Sequence, residues 1–241
     1  MPEQPNGQNI ARVYSEQAKS YIDFAPTSFS WQFIEKPAFD RHLRDLCRPQ
    51  VRVLDAGCGS GRIIEHLINN GIQPDNVTGV DISQNMLDEA RKKLPEVKLI
   101  QADLVDADLP TNHFDLITAA MVFHYLDEEG LKRMMANFHK WLKSDGVLFY
   151  VTTHPIRIVN DNLSLYQKRG WRNEKTPWGS ETPFFHRTTA DFINETISAG
   201  FTIDMIDEPD VAKEGERTNP EEYSKYTSFG ASRLVVRARK V

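Results

Sequence analysis

Val51 to Ser83 reads VRVLDAGCGSGRIIEHLINNGIQPDNVTGVDIS. Val51, Val53 and Leu54 run into Asp55, glycines follow at 57, 59 and 61, and an amphipathic segment comes directly after them. That order is strand, tight turn, helix. Glycine is needed where backbone turns with positive φ or approaches a ligand more closely than a Cβ permits, so alternating glycines mark a contact surface made of main chain. From Arg62 to Asn70, Ile63, Ile64, Leu67 and Ile68 share one helical face, and Gly71 suits the C-cap. A second apolar run, Val77 to Ile82, carries Asp81 at its carboxyl end. The spacing predicts a βαβ unit with an acid at the second strand tip, the arrangement that holds a ribose in doubly wound sheets.

The dinucleotide fingerprint G-x-G-x-x-G/A fits poorly. Counted from Gly57, its last position is Arg62, where close packing of helix on strand wants a small residue. An NAD-dependent oxidoreductase is therefore a disfavoured alternative. Asp55 to Gly61 match D-x-G-x-G-x-G in full, which resembles motif I of the class I S-adenosylmethionine (SAM)-dependent methyltransferases. Asp81, the Ala102-Asp103-Leu104 stretch and the motif IV-like strand Phe114 to Ala120 extend the resemblance. Looser features, His154-Pro155-Ile156, Trp178-Gly179 and Phe185-His186-Arg187-Thr188, resemble the UbiE-like, type 11 group, whose acceptors are small molecules or unknown.

The resemblance implies an α/β, Rossmann-like, seven-stranded doubly wound sheet whose last strand is antiparallel, with an N-terminal helical lid and an inserted cap. One domain over 1–241 divides into a lid (1–48), a SAM-binding core (49–153), a substrate cap (154–188) and a C-terminal helix with strands (189–241). It also implies SAM as cofactor, S-adenosylhomocysteine (SAH) as product, and methyl transfer to an O, N or C nucleophile of a small molecule. A SAM-binding protein without catalysis is a further alternative, since the family contains such members. By the same resemblance Gly57, Cys58, Gly59 and Gly61 pass under the methionine part, with Asp55 at the head of the loop. Asp81 takes the ribose hydroxyls, with Ile82 beside it. Asp103 accepts from the adenine amino group, Leu104 donates a backbone N–H to the ring, and Met86, Ala102 and Ala119 complete the contacts. Tyr14 or Tyr21 would form a lid, in a Y-x(6)-Y stretch followed by E-x-P at Glu35 to Pro37.

A net charge of −5 offers no footprint for nucleic acid. No apolar run approaches the roughly 20 residues that span a bilayer, and the N-terminus lacks the apolar core of a signal peptide, so a cytoplasmic protein without a membrane partner is expected. Cys47 and Cys58 have no metal-ligand spacing, and neither a metal nor a disulfide is expected.

Further along, Ser83 caps a helix to Leu94, Val97 to Gln101 is the next strand, and Phe114 to Ala120 reads as a central parallel strand. The sequence after Thr118, AAMVFHYL, lacks the Asp/Asn-Pro-Pro-aromatic stretch of the DNA and glutamine amino-methyltransferases, which disfavours those acceptors. His124, just past this strand, is one base candidate, because an imidazole near neutral pKa suits proton removal. Asp127 caps a helix to Leu142, a turn at Ser144 to Gly146 leads into a strand from Val147 to Thr153, and the aromatic stretch from Arg157 to Thr189 reads as a cap over a pocket. An exposed cap would also offer a contact for a homodimer. His186 in that cap is the second base candidate. Thr188 or Thr189 opens a helix through Ala199, and Phe201 to Ile206 is the sixth strand. Residues 207–228 read as irregular, and Arg233 to Arg239 as a last strand with arginines on a solvated face.

Overall fold

The computed structural model describes residues 20–176, 179 and 181–241. Tyr14 and Trp178 lie outside them. After the N-terminal helical elements come four parallel strands: β1 (Val53–Ala56), β2 (Val77–Asp81), β3 (Lys98–Gln101) and β4 (Phe114–Ala120). β5 (Leu142–Thr153) is parallel to β4, whereas β9 (Arg233–Lys240) runs antiparallel between β5 and β8 (Phe201–Asp207). The order β3-β2-β1-β4-β5-β9-β8 makes a seven-stranded sheet with its last strand reversed. β6 (Gly170–Lys175) and β7 (Glu181–His186) form a separate antiparallel hairpin, strands that the residues between 157 and 189 do not announce.

The connecting helices are α1 (Lys36–Leu43), α2 (Arg62–Asn69), α3 (Gln84–Lys93) and α4 (Glu128–Trp141), then α5 (Pro155–Ile158), α6 (Thr189–Ser198), α7 (Glu214–Thr218) and α8 (Pro220–Ser228). Helix starts follow the caps. Ser83, Asp127 and Thr188 each accept a backbone N–H from the first turn, and Asp191 closes a capping box with Thr188.

Alternate residues of the central strands feed two cores. Leu54, Ile117, Leu148 and Val236 pack against α4 and α6, through Phe138 and Phe192 among others. On the other face, Val53, Leu116, Phe149 and Val235 pack against α1 and α2 through Phe39 and Leu67. A parallel sheet buried on both faces needs near-continuous apolar runs, which is why these strands stand out in the sequence.

Three expectations need correction. Residues 207–228 carry two helices, because Asn219 accepts from Glu222 N at 3.1 Å, Pro220 stands at the first helical position, and Tyr226 is buried against Phe29. β5 begins at Leu142, ahead of the expected turn, with Asp145 at φ 61° in the irregular pairing that separates Leu142 from Val147. Two of the three arginines of β9 are not on a solvated face. Arg233 is buried, and Arg237 reaches His42 O and Asp45. Among the described residues no helix is long and apolar enough to cross a membrane, and no group of three or more His, Cys, Asp or Glu could hold a metal ion.

Candidate functional site

β1 leaves the sheet in one direction and β4 in the other, and at that reversal the loops beyond the strand tips part. A cavity of about 660 Å³ opens there, reached by residues that follow each of β1 to β5. Of the expected cofactor positions, Gly57, Gly59, Asp81, Ile82 and Met86 line it, together with Ala102, Asp103 and Leu104 beyond β3 and Tyr21 from the N-terminal segment.

The glycine loop sits tightly. Gly57 has φ +76°, and a Cβ there would lie 2.3 Å from Val122 Cγ2. Four of the loop's amides are already committed. Gly57 N and Cys58 N donate to Val80 O, Gly61 N donates to Cys58 O, and Gly59 N donates to Asp81 Oδ2 at 2.8 Å. A pyrophosphate draws on several free N–H donors, and a loop that has committed four of its amides suits it poorly.

Asp81 lines the cavity where β2 ends. Its Oδ1 accepts from Ser83 N at 2.9 Å, so each oxygen holds one backbone N–H and keeps lone-pair capacity for further donors such as vicinal hydroxyls. Burial pushes its carboxyl above the usual value, against those backbone hydrogen bonds. Asp103 faces the same space, its Oδ1 accepting from Val105 N at 3.0 Å. One further acid lies just beneath. Asp55 takes the Thr118 hydroxyl at 2.7 Å on Oδ1, leaves Oδ2 buried without a partner, and is pushed up to about 7 by burial. Carboxylates around this loop fit a cationic nucleoside such as SAM.

Four expected contact positions lie under the cavity floor instead of lining it. Asp55 belongs to the buried end of β1, and Cys58 points into the core. Gly61 is the left-handed N-cap of α2 and packs against Leu94 and Ala90, and Ala119 is a core residue of β4.

The two base candidates separate. His124 lines the cavity, is 3% exposed, stacks on Phe184 at 4.7 Å and has no partner for Nδ1. Burial, helped by the charges of Arg233, Arg187 and Arg157, lowers its pKa to about 3. The ring is neutral at physiological pH and a weak base. His186 does not line the cavity; its Nε2 donates to Tyr166 O at 2.9 Å and its Nδ1 is buried without a partner. His154 serves as the N-cap of α5 and meets Glu208 at 2.8 Å.

Several residues of the second half of the cavity are not evident from the sequence. Glu35 and Arg233 form a buried pair at 2.8 Å, 198 positions apart, and both line the wall. Arg62 joins them at 3.6 Å from Glu35 while donating to Ala25 O, which ties the N-terminal segment to the start of α2. Arg157, Trp171, Thr182, Phe184, Tyr226 and Phe229 complete this half. Arg187 lies outside it but donates to Phe123 O and Leu126 O, fixing the loop that carries His124. The E-x-P stretch pointed to Glu35; nothing local marks Arg233 as its partner.

The methyltransferase-domain family profile matches residues 53–146. An uncharacterized protein of Haemophilus influenzae is 32% identical over 236 residues, covering 87% of this chain and 88% of that one. The malonyl-[acyl-carrier protein] O-methyltransferase of Enterobacter lignolyticus is 35% identical over 102 residues, covering 42% of this chain and 39% of that one. Among solved structures, an S-adenosylmethionine-dependent methyltransferase from Mesorhizobium loti is similar with TM-score 0.66 and 25% identity, over 83% of this chain and 97% of that one. With its seven-stranded, reversed-last-strand sheet and its D-x-G-x-G-x-G loop at the mouth of the cavity, the chain belongs to the class I SAM-dependent methyltransferases.

Proposed function

We propose that this SAM-dependent methyltransferase holds its cofactor along the tips of β1, β2 and β3 and methylates a small molecule bound between those tips and the β6–β7 hairpin. The observation that carries the reading is a single cavity joining an acid-lined end, Asp81 and Asp103, to an end walled by aromatic rings and arginines. In this reading Asp81 takes the ribose hydroxyls, Asp103 the adenine amino group, and the Leu104 amide the ring. Gly57 and Gly59 run under the methionine part, and Tyr21 covers it. When bound, the sulfonium supplies an electrophilic methyl group.

The protein's own contribution is to hold the acceptor in line, exclude water and leave both partners weakly solvated. His124 orients and does not take a proton, since its basicity lies far below the operating pH. The malonyl-[acyl-carrier protein] relative is an O-methyltransferase, which makes oxygen the first acceptor atom to test here. The net charge of −5 favours a small acceptor over nucleic acid.

Titration calorimetry with SAM, SAH and NADH tests the reading. SAM and SAH should bind in about the micromolar range, NADH far more weakly, and Asp81→Ala should weaken SAH by at least about tenfold, ~1.4 kcal/mol. Tighter binding of NADH than SAM would overturn it.

A further inference from the structure

Arg157 is a charged group of the acceptor end to which no role has yet been given. It sits on α5 directly after β5 and lines the cavity. Its guanidinium lies over two rings, 5.3 Å from the Tyr226 centroid and 5.0 Å from that of Phe229. Among the described residues it makes no hydrogen bond and no ion pair. A guanidinium carries five N–H donors in a fixed fork, and those of Arg157 are open to the cavity, where a ligand can take them.

The surrounding charge points the same way. Arg233 is matched by Glu35, and Arg62 leans on that same carboxylate, so two cations already share one anion. Arg157 adds a third. Glu174 also acts on it through space, but no Glu174 oxygen comes within ion-pair distance. Burial and the Arg233 charge lower Arg157 only to about 10, so it stays charged at neutral pH. The same cavity is lined by His124, with its unpartnered Nδ1, and by Phe184 and Trp171.

We propose that the acceptor is a small organic carboxylate with a flat or apolar body, gripped by the Arg157 fork with the His124 ring alongside, and that a carboxylate oxygen is the atom methylated. The inference rests on the SAM-site reading and extends it to the substrate. A lone pair of that oxygen forms the new O–CH3 bond as the S–CH3 bond of the donor breaks, and its electron pair remains on sulfur. The products are a neutral methyl ester and SAH. Anion and sulfonium lose their charges together and no proton is released, so no base is required. Planar, bidentate recognition of a carboxylate is what a guanidinium does and an ammonium does less well.

The test uses the full chain saturated with SAH, titrated with benzoate and with benzamide, its uncharged isostere. In parallel, benzoate, cinnamate and hexanoate are offered with methyl-labelled SAM beside phenol and benzylamine, and products are treated with mild alkali, which frees methanol from esters alone. Benzoate should bind at least about tenfold more tightly than benzamide, and label should appear as methanol from the acids. Arg157→Gln should weaken benzoate by about tenfold or more with SAH affinity unchanged within about twofold, and Arg157→Lys should restore part of the loss. Equal binding of benzoate and benzamide, no transfer to any acid, or alkali-stable label on phenol or benzylamine overturns the proposal. So does a loss of SAH affinity in Arg157→Gln, which would assign the guanidinium to the cofactor's own carboxylate. Failure of the unaltered protein to bind SAH would instead remove the underlying SAM-site reading.

Discussion

Gly59 donates its backbone N–H to Asp81 Oδ2 at 2.8 Å, so the loop after β1 is tied to the acid that ends β2. Sequence patterns treat the two as separate contacts. In the fold they are one unit, because the other Asp81 oxygen holds Ser83 N and thereby the start of α3. Cutting the tie should loosen the loop before it loosens the sheet. In Asp81→Ala the Gly59 amide should exchange with solvent at least about tenfold faster, while amides of β1 keep their protection. Unchanged exchange at Gly59 would mean that the loop stands by itself.

The Glu35–Arg233 pair joins the N-terminal segment to β9 across the cavity wall. Burial pushes the Glu35 carboxyl up, but the charges of Arg233 and Arg62 outweigh it and hold the group below its ordinary value. A depressed acid contributes stability that is present above its unfolded pKa and is lost as pH falls through the folded one. Acid should therefore weaken the protein below about pH 4.5 through this group. Glu35→Gln leaves a buried guanidinium without a counter-charge and should cost about 3–5 kcal/mol in urea unfolding, whereas Glu35→Gln with Arg233→Met should cost less than the sum of the single changes. Strict additivity would contradict the coupling.

Asp55 behaves in the opposite sense. Burial, with the nearby Asp81 charge, pushes it up to about 7 against the Thr118 hydrogen bond. A raised acid contributes stability that is fully present below its unfolded pKa and is lost as pH rises through the folded one, here between about 4 and 7. Asp55→Asn should remove that slope, at most about 1.4 kcal/mol per pH unit for one proton. Relative to the unaltered protein it should gain stability steadily across the window. Parallel stability curves for the two proteins would show that the carboxyl titrates normally.

With its pKa lowered to about 3, His124 stays neutral throughout the physiological range. His124→Asn should lower kcat by less than about tenfold, and the rate should show no ionisation between about pH 6 and 8 that this substitution abolishes. A loss of about 10²- to 10⁴-fold with such a limb would restore it as a general base.

Much of the cofactor end was legible because short-range rules govern it. Glycines at positions of positive φ, an acid at a strand tip and apolar runs of buried parallel strands all leave their mark within about thirty residues. The acceptor end is written at long range. Val235 and Arg233 occupy the same face of β9, and one is core while the other meets Glu35, a difference set by what the N-terminal segment places opposite. The β6–β7 hairpin carries Pro183 and charged residues that mask its strands, and α8 depends on Asn219 and Pro220 in a stretch otherwise too polar to show a periodic face. Arg157 gives no local signal at all; only its cavity position and its missing partner single it out.

The crystal structure of the protein with SAH bound is the most direct test of the central claim. The account predicts the ribose hydroxyls on Asp81, the adenine amino group on Asp103 and the homocysteine part over Gly57 and Gly59, with the space before Arg157 and His124 left for the acceptor. SAH bound away from the tips of β1, β2 and β3, or with its ribose out of reach of Asp81, would contradict it.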